Sequence, residues 1–146
     1  TPHRVGVALR QAGEEGVHTY RIPALATSPA GTLLCVYDIR RRNGRDLQGD
    51  IDVGLSRSTD GGQNWLPMQV IMDMGEFGGL PQNQNGIGDP GIIVDQTTGE
   101  IIVFALWVHA KPGTHQWQDN GSEAGFEIGK TAQFMITRST DDGLTW

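Results

Sequence analysis

One octet occurs twice in this chain and limits what the chain can fold into. Ser58-Thr59-Asp60-Gly61-Gly62-Gln63-Asn64-Trp65 returns as Ser139-Thr140-Asp141-Asp142-Gly143-Leu144-Thr145-Trp146, 81 residues further on. Each copy follows an Arg and an alternating stretch, residues 51–57 in the first case and 132–138 in the second. Upstream of each copy the sequence reads as strand, tight turn, strand: 20–27, 28–31 and 32–37, then 89–94, 95–99 and 100–107. β-branched and large apolar residues flank turns that close on Gly, the usual supplier of positive φ. No segment of helical length keeps a 3.6-residue apolar period, so the chain reads as all-β. A unit repeated with this punctuation is what stacked β-sheets produce. The turn glycines Gly31 and Gly99 are only 68 apart, which leaves about 13 extra residues in the second unit. The polar stretch 111–127 is where such an insertion disturbs the core least.

The octet has a mechanical reading. Ser and Asp side chains accept hydrogen bonds from nearby backbone N–H groups and hold a turn. Gly62 and Gly143 suit positive φ, and the closing Trp can pin the hairpin to the next layer. Catalytic or metal-binding roles for Asp60 and Asp141 are the weaker reading, because such residues have no reason to recur with the fold.

Composition narrows the function. With 146 residues a single domain is expected, and 21 Gly with 7 Pro imply many tight turns. The net charge of −6 repels phosphate backbones, so no nucleic-acid partner is expected. The longest apolar run, within residues 100–108, is strand-sized and far short of a membrane helix. A single Cys35 excludes an internal disulfide and a Cys-based zinc site, and reads as a small buried hydrophobe. The chain opens Thr1-Pro2-His3-Arg4 without a signal peptide, so a secreted protein would be present in its processed form.

The octet resembles the Asp-box, Ser-x-Asp-x-Gly-x-Thr-Trp, of sialidases and some other propellers. The second copy matches throughout, and the first carries Asn64 in place of Thr. The box by itself indicates a propeller blade and no activity. Tyr20-Arg21-Ile22-Pro23 resembles the sialidase Phe/Tyr-Arg-Ile-Pro motif, and Tyr37-Asp38-Ile39-Arg40, Asp46 and Gly88-Asp89-Pro90 follow in order. The resemblance runs from about Tyr20 to Trp146 and identifies a bacterial-type exo-sialidase. It implies a six-bladed β-propeller of which this chain supplies about two blades, 1–146 forming the N-terminal part of the catalytic domain with blade-like repeats at about 20–65 and 88–146. The rest of the ring becomes the expected partner, because two blades alone leave large apolar faces uncovered. The Asp-box hairpins are expected on the side away from the active site.

The substrate class implied is a terminal α-linked sialic acid on a glycoprotein, glycolipid or oligosaccharide. Its carboxylate suits the planar, permanently charged guanidinium. Arg21 matches the family's first carboxylate-binding Arg, the competing reading being a strand-end surface Arg. Asp46, on the loop Asn43-Gly44-Arg45-Asp46-Leu47, matches the acid/base Asp, with Asp50 and Asp52 as competing assignments. An acid/base role calls for a pKa near the working pH, which the adjacent Arg41, Arg42 and Arg45 oppose. Arg40 and Asp89 match substrate-binding residues at the O4 and N-acetyl edge, or form a plain surface ion pair. Trp107, Met72 and Trp117 are either walls of an N-acetyl pocket or core. His18, His109 and His115 lack metal-ligand spacing and read as solvated loop residues. No metal and no cofactor are expected.

Sialidases depart from the two-carboxylate scheme of glycosidases by using a Tyr nucleophile. A neutral nucleophile meets less repulsion at an anomeric carbon that bears a carboxylate. The family's Tyr, its partner Glu and two further Arg residues belong to later blades, and neither Tyr20 nor Tyr37 occupies the nucleophile's place. The chain alone is therefore expected to be inactive. The competing class is a non-catalytic Asp-box propeller that binds glycan or protein. Sialoglycans lie outside cells, so a secreted, periplasmic or cell-surface location is expected, bacterial by preference; the near absence of Cys fits bacterial export as well as a cytosolic protein.

Overall fold

Strands form where the sequence alternates or runs apolar. The structure, a computed structural model, describes residues 6–127, 130 and 132–146; the leader expectation at residues 1–4 lies outside them. Among the described residues the strands are β1 (Thr19–Thr27), β2 (Leu33–Arg40), β3 (Ile51–Ser58), β4 (Gln69–Met72), β5 (Ile87–Val94), β6 (Ile101–Trp107) and β7 (Gln133–Ser139). They pair antiparallel into two sheets, ordered β1-β2-β3-β4 and β5-β6-β7. The sequence pattern leaves β4 out, because four residues are too few to display a period of two. The repeat is exact in register at the octet end, where Leu33 pairs with Ser58 and Ile101 with Ser139. The extra residues of the second unit lie between β6 and β7, at 108–132, against 41–50 between β2 and β3.

Alternation decides which side chains meet. Leu34 and Val36 of β2 and Val53 and Leu55 of β3 face Ile87 of β5 and Ile101, Val103, Ala105 and Trp107 of β6. All nine are buried to within 1% and form the core between the sheets, where each large side chain contributes roughly 1.5–3 kcal/mol. The other face of the first sheet, with Cys35, Tyr37 and Ile39, is covered by Val17 and by Leu9, Tyr20, Trp65 and Met68. The other face of the second sheet is largely uncovered among the described residues. Phe104 and Phe134 stack there at 5.3 Å, and Ile93, Phe134 and Ile136 are exposed.

Both octets close in the same way. Ser58 Oγ donates to Asp60 Oδ1 at 2.8 Å and accepts from Gly62 N at 2.9 Å, while Asp60 accepts from the Asn64 backbone at 2.9 Å and its side chain at 2.7 Å. Ser139, Asp141, Gly143 and Thr145 repeat this pattern, Thr145 Oγ1 replacing the Asn amide. Gly62 and Gly143 have φ of 88° and 80°, which glycine alone adopts without steric cost. These donors hold both Asp carboxyls down at about 2, Asn64 N–H leading at Asp60 and the Thr145 hydroxyl at Asp141. Trp65 packs on the outer face of the first sheet, and Trp146 against the core between the sheets.

At the opposite end each sheet carries a bulge in its first strand. The register shifts between Arg21 and Ala24 in β1 and between Gly88 and Gly91 in β5. Ile22 and Asp89, each preceding a proline, have φ of 55° and 54°. For a β-branched residue this is a costly conformation, of order 1–3 kcal/mol, and bulges of this kind re-aim side chains beside functional sites.

Candidate active site

The bulged end of the sheets collects the charges. Asp38 and Arg40 are two apart on β2, so both point toward the second sheet, and both are buried. Arg40 donates from Nε to Asp38 Oδ2 at 3.0 Å, with Nη2 at 2.9 Å from the same oxygen. Its Nη1 reaches the carbonyl of Gly44 at 2.9 Å, and Nη2 reaches Asp46 Oδ1 at 3.1 Å. The guanidinium thus ties the 41–50 loop to the strand it leaves. Buried Leu47 anchors the same loop against Ile51 and Val108.

Asp46 is held on one side only. Oδ1 accepts from Arg40 and from Leu47 N at 2.9 Å, and the side chain remains 60% exposed. Across the gap between the sheets, Asp89 N donates to Asp38 Oδ1 at 2.8 Å. Oxygens of Asp38, Asp46 and Asp89 lie within 4.8 Å of one another. Burial pushes Asp38 up to about 6 against the opposing pull of the Asp89 N–H and Arg40. Asp89 is raised too, first by desolvation and then by the charge of Asp46, with Arg40 opposing.

The rival carboxylates sit elsewhere. Asp52 pairs in register with Ile39 and so faces away from Asp38. It is buried, held by Arg41 at 2.7 and 2.6 Å, and pushed up to about 6, burial outweighing the arginine. Asp50 is half-buried and pairs with Arg42 at 3.2 Å. Arg41 and Arg42 are therefore engaged by these two, and the cation in contact with Asp46 is Arg40. Arg40 itself is no surface pair and presents almost no surface. Its guanidinium orders the loop.

Arg21 stands apart from this cluster. It is the register partner of Asp38 on β1, is exposed, and its side chain makes no hydrogen bond or ion pair among the described residues. With Arg10, Tyr20 and Tyr37 it borders a cavity of about 200 Å³. Of the apolar candidates, Trp107 is core, its Nε1 donating to Asn85 Oδ1 at 3.1 Å, and Met72 packs on the same core. Trp117 is exposed beside His115. The histidines divide. His18 is exposed, and His115 accepts from Gln48 N at 3.0 Å. His109, expected in solvent, is instead buried edge-on against Trp107, because residues 108–110 continue straight into the interior after β6.

Sequence reasoning gave Asp38 no role beyond its place in a motif. The available signal was a lone Asp within the apolar run of β2, two residues before an Arg on the same face.

Comparison with known proteins agrees with this geometry. No family model matches the chain. It is 49% identical over 144 residues to a sialidase of Bacteroides fragilis (strain YCH46), covering 99% of this chain and 26% of that protein. A sialidase of Micromonospora viridifaciens is 36% identical over 140 residues, covering 92% and 19%. The solved structure of Hadza microbial sialidase Hz136 matches with a TM-score of 0.89 at 45% identity, covering 98% of this chain and 28% of that one. The chain is a segment of bacterial sialidase type. It spans about a quarter or less of the length of these curated relatives. Its two sheets are blades of the sialidase-type β-propeller. In this sialidase segment, no helix among the described residues is long and apolar enough to cross a membrane.

Proposed function

We propose that this chain is the N-terminal part of the catalytic propeller of an exo-α-sialidase, with blades at about 20–65 and 88–146, and that the repeated octets are Asp-boxes of the BNR type. The complete six-bladed protein removes terminal sialic acids from glycoproteins, glycolipids or oligosaccharides by a retaining mechanism. The observation that carries this reading is Asp46, fixed by Arg40 and Leu47 N on one oxygen and exposed on the rest, beside Asp89 and with unpaired Arg21 on the adjacent strand.

Arg21 takes the substrate carboxylate, as a guanidinium does best with paired charge-assisted bonds. Asp46 protonates the glycosidic oxygen as the bond to the anomeric carbon breaks, and the aglycone leaves as an alcohol. A Tyr oxygen from a later blade bonds the anomeric carbon, passing its proton to a base. Water then displaces the Tyr oxygen, which takes its proton back from the base, while the water gives a proton to Asp46 and restores the acid. Asp89, with Arg40 behind it, lines the sugar's O4 and N-acetyl edge. The rest of the propeller supplies the nucleophile and covers the largely uncovered face of the second sheet. A secreted, periplasmic or cell-surface location follows from the substrate.

Release of a fluorogenic leaving group from a sialoside tests the reading. The complete protein is expected to release it and the 146-residue chain alone is not. No release by the complete protein moves the weight to a propeller that binds glycan or protein without catalysis. Turnover by the chain alone refutes the placement of the nucleophile outside it.

A further inference from the structure

We propose that Asp38 is a positioning residue for the acid/base carboxylate, one buried group that sets Asp46 of the first blade and Asp89 of the second in a common frame. The proposal rests on the sialidase reading of the site. Asp38 is fully buried and touches no open surface. Its Oδ2 holds Arg40 through Nε and Nη2 at 3.0 and 2.9 Å. Arg40 has two further contacts, the Gly44 carbonyl and Asp46 Oδ1, and both belong to the loop that carries the acid. The plane of the guanidinium is therefore set from behind by Asp38, and its outer edge sets Asp46. The second oxygen, Oδ1, accepts from the N–H of Asp89 at 2.8 Å, the residue whose positive φ makes the β5 bulge.

Two observations set this apart from ordinary packing. The repeat shows what the fold alone requires. With Leu33 and Ile101 in equivalent register, the places of Asp38 and Arg40 are taken in the second unit by Leu106 and Val108, both packed in an apolar cluster. The second sheet therefore forms without the ion pair, and burying one instead of packed hydrocarbon seldom adds stability. The second observation is Gly88. A Cβ there would lie 2.8 Å from Asp38 Oδ1, so the missing side chain is what lets this carboxylate reach across to β5.

The test uses the complete protein, with Asp38→Asn and Gly88→Ala, on two substrates. Sialyllactose has a poor leaving group that needs protonation by Asp46, whereas a methylumbelliferyl sialoside has a good one that needs it little. Asp38→Asn keeps the shape but opposes an amide donor to the Arg40 donors. It is expected to lower kcat/KM on sialyllactose by about 100-fold, as loss of general acid catalysis does, and on the umbelliferyl substrate by at least about tenfold less. Gly88→Ala, which displaces the carboxylate without removing it, is expected to skew the two substrates in the same direction. It carries the test should Asp38→Asn fail to fold, as judged by its melting temperature. Unchanged rates or equal losses on both substrates, in a variant that melts like the unmodified protein, overturn the proposal and leave Asp38 structural. No release of either product by the unmodified protein overturns the sialidase reading, and the positioning role with it.

Discussion

At the octet end of the sheets, exposed Asp60 and half-buried Asp141 receive backbone N–H and side-chain donors and are held down at about 2. At the bulged end, Asp38 and Asp52 are buried, each leans on one arginine, and both are pushed up to about 6. The strands are the same, and the environments differ in water and in the kind of donor. Where water and the turn's own N–H groups solvate the charge, the carboxylate serves the hairpin and repeats with it. Where burial removes water, the charge survives only through a specific cation, and that dependence lets one residue fix another's position. Chemistry is possible at the second end because its carboxylates are placed by neighbours from both sheets.

The comparison breaks most visibly in rate. Asp46→Asn in the complete protein is expected to lower kcat on sialyllactose by about 10²–10⁴-fold, whereas Asp60→Asn leaves kcat unchanged; steady-state kinetics on both variants checks this. Stability separates the ends next. Arg40→Met strands Asp38 in the interior and is expected to cost about 3–5 kcal/mol in denaturant unfolding. Arg138→Ala, which removes an exposed pair with Glu100, is expected to change stability by less than about 1 kcal/mol. Ser139→Ala lies between, at about 1–2 kcal/mol, because buried Ser139 Oγ both holds Asp141 and accepts from Gly143 N.

The smallest and most discriminating effect is with pH. Asp38 and Asp52 have folded values above the ordinary 3.8, so the native state binds their protons more readily and the stability they contribute is lost as pH rises from about 4 to about 6. Asp38 faces Arg40, Asp89 and Asp46, and Asp52 faces Arg41 and Asp73. The octet carboxylates have depressed values, so their contribution is present above the ordinary value and lost as pH falls from about 4 to about 2. Melting temperature against pH is expected to lose part of its fall between about 4 and 6 in Asp52→Asn, and part of its low-pH fall in Asp141→Asn.

Much of the fold was legible because it is local. Alternation in 51–57 and 132–138, turns closing on Gly31 and Gly99, and the octet's own donors act over a few residues, and each found its expected place. β4 was not legible, since Gln69–Met72 becomes a strand by pairing with β3, a partner no short pattern specifies. In the site, the order of Arg21, Arg40, Asp46 and Asp89 along the chain was readable. Their arrangement was not. Asp46 and Asp52 are both Asp residues within a few positions of several arginines, and only the pleat of β3 and the anchoring of Leu47 separate an exposed carboxylate from a buried one.

By itself, then, the sequence determined the blades, their hairpins and the residue types available for acid and anion-binding work, because hydrogen bonds within a turn and alternation along a strand need no distant partner. Only the tertiary structure decided that Arg40 turns inward, that His109 is buried, and that Asp38 links Arg40 to the N–H of Asp89. Those outcomes depend on how closely two sheets approach, and that distance is set by side chains such as the absent one at Gly88, 50 residues from the Asp38 it accommodates.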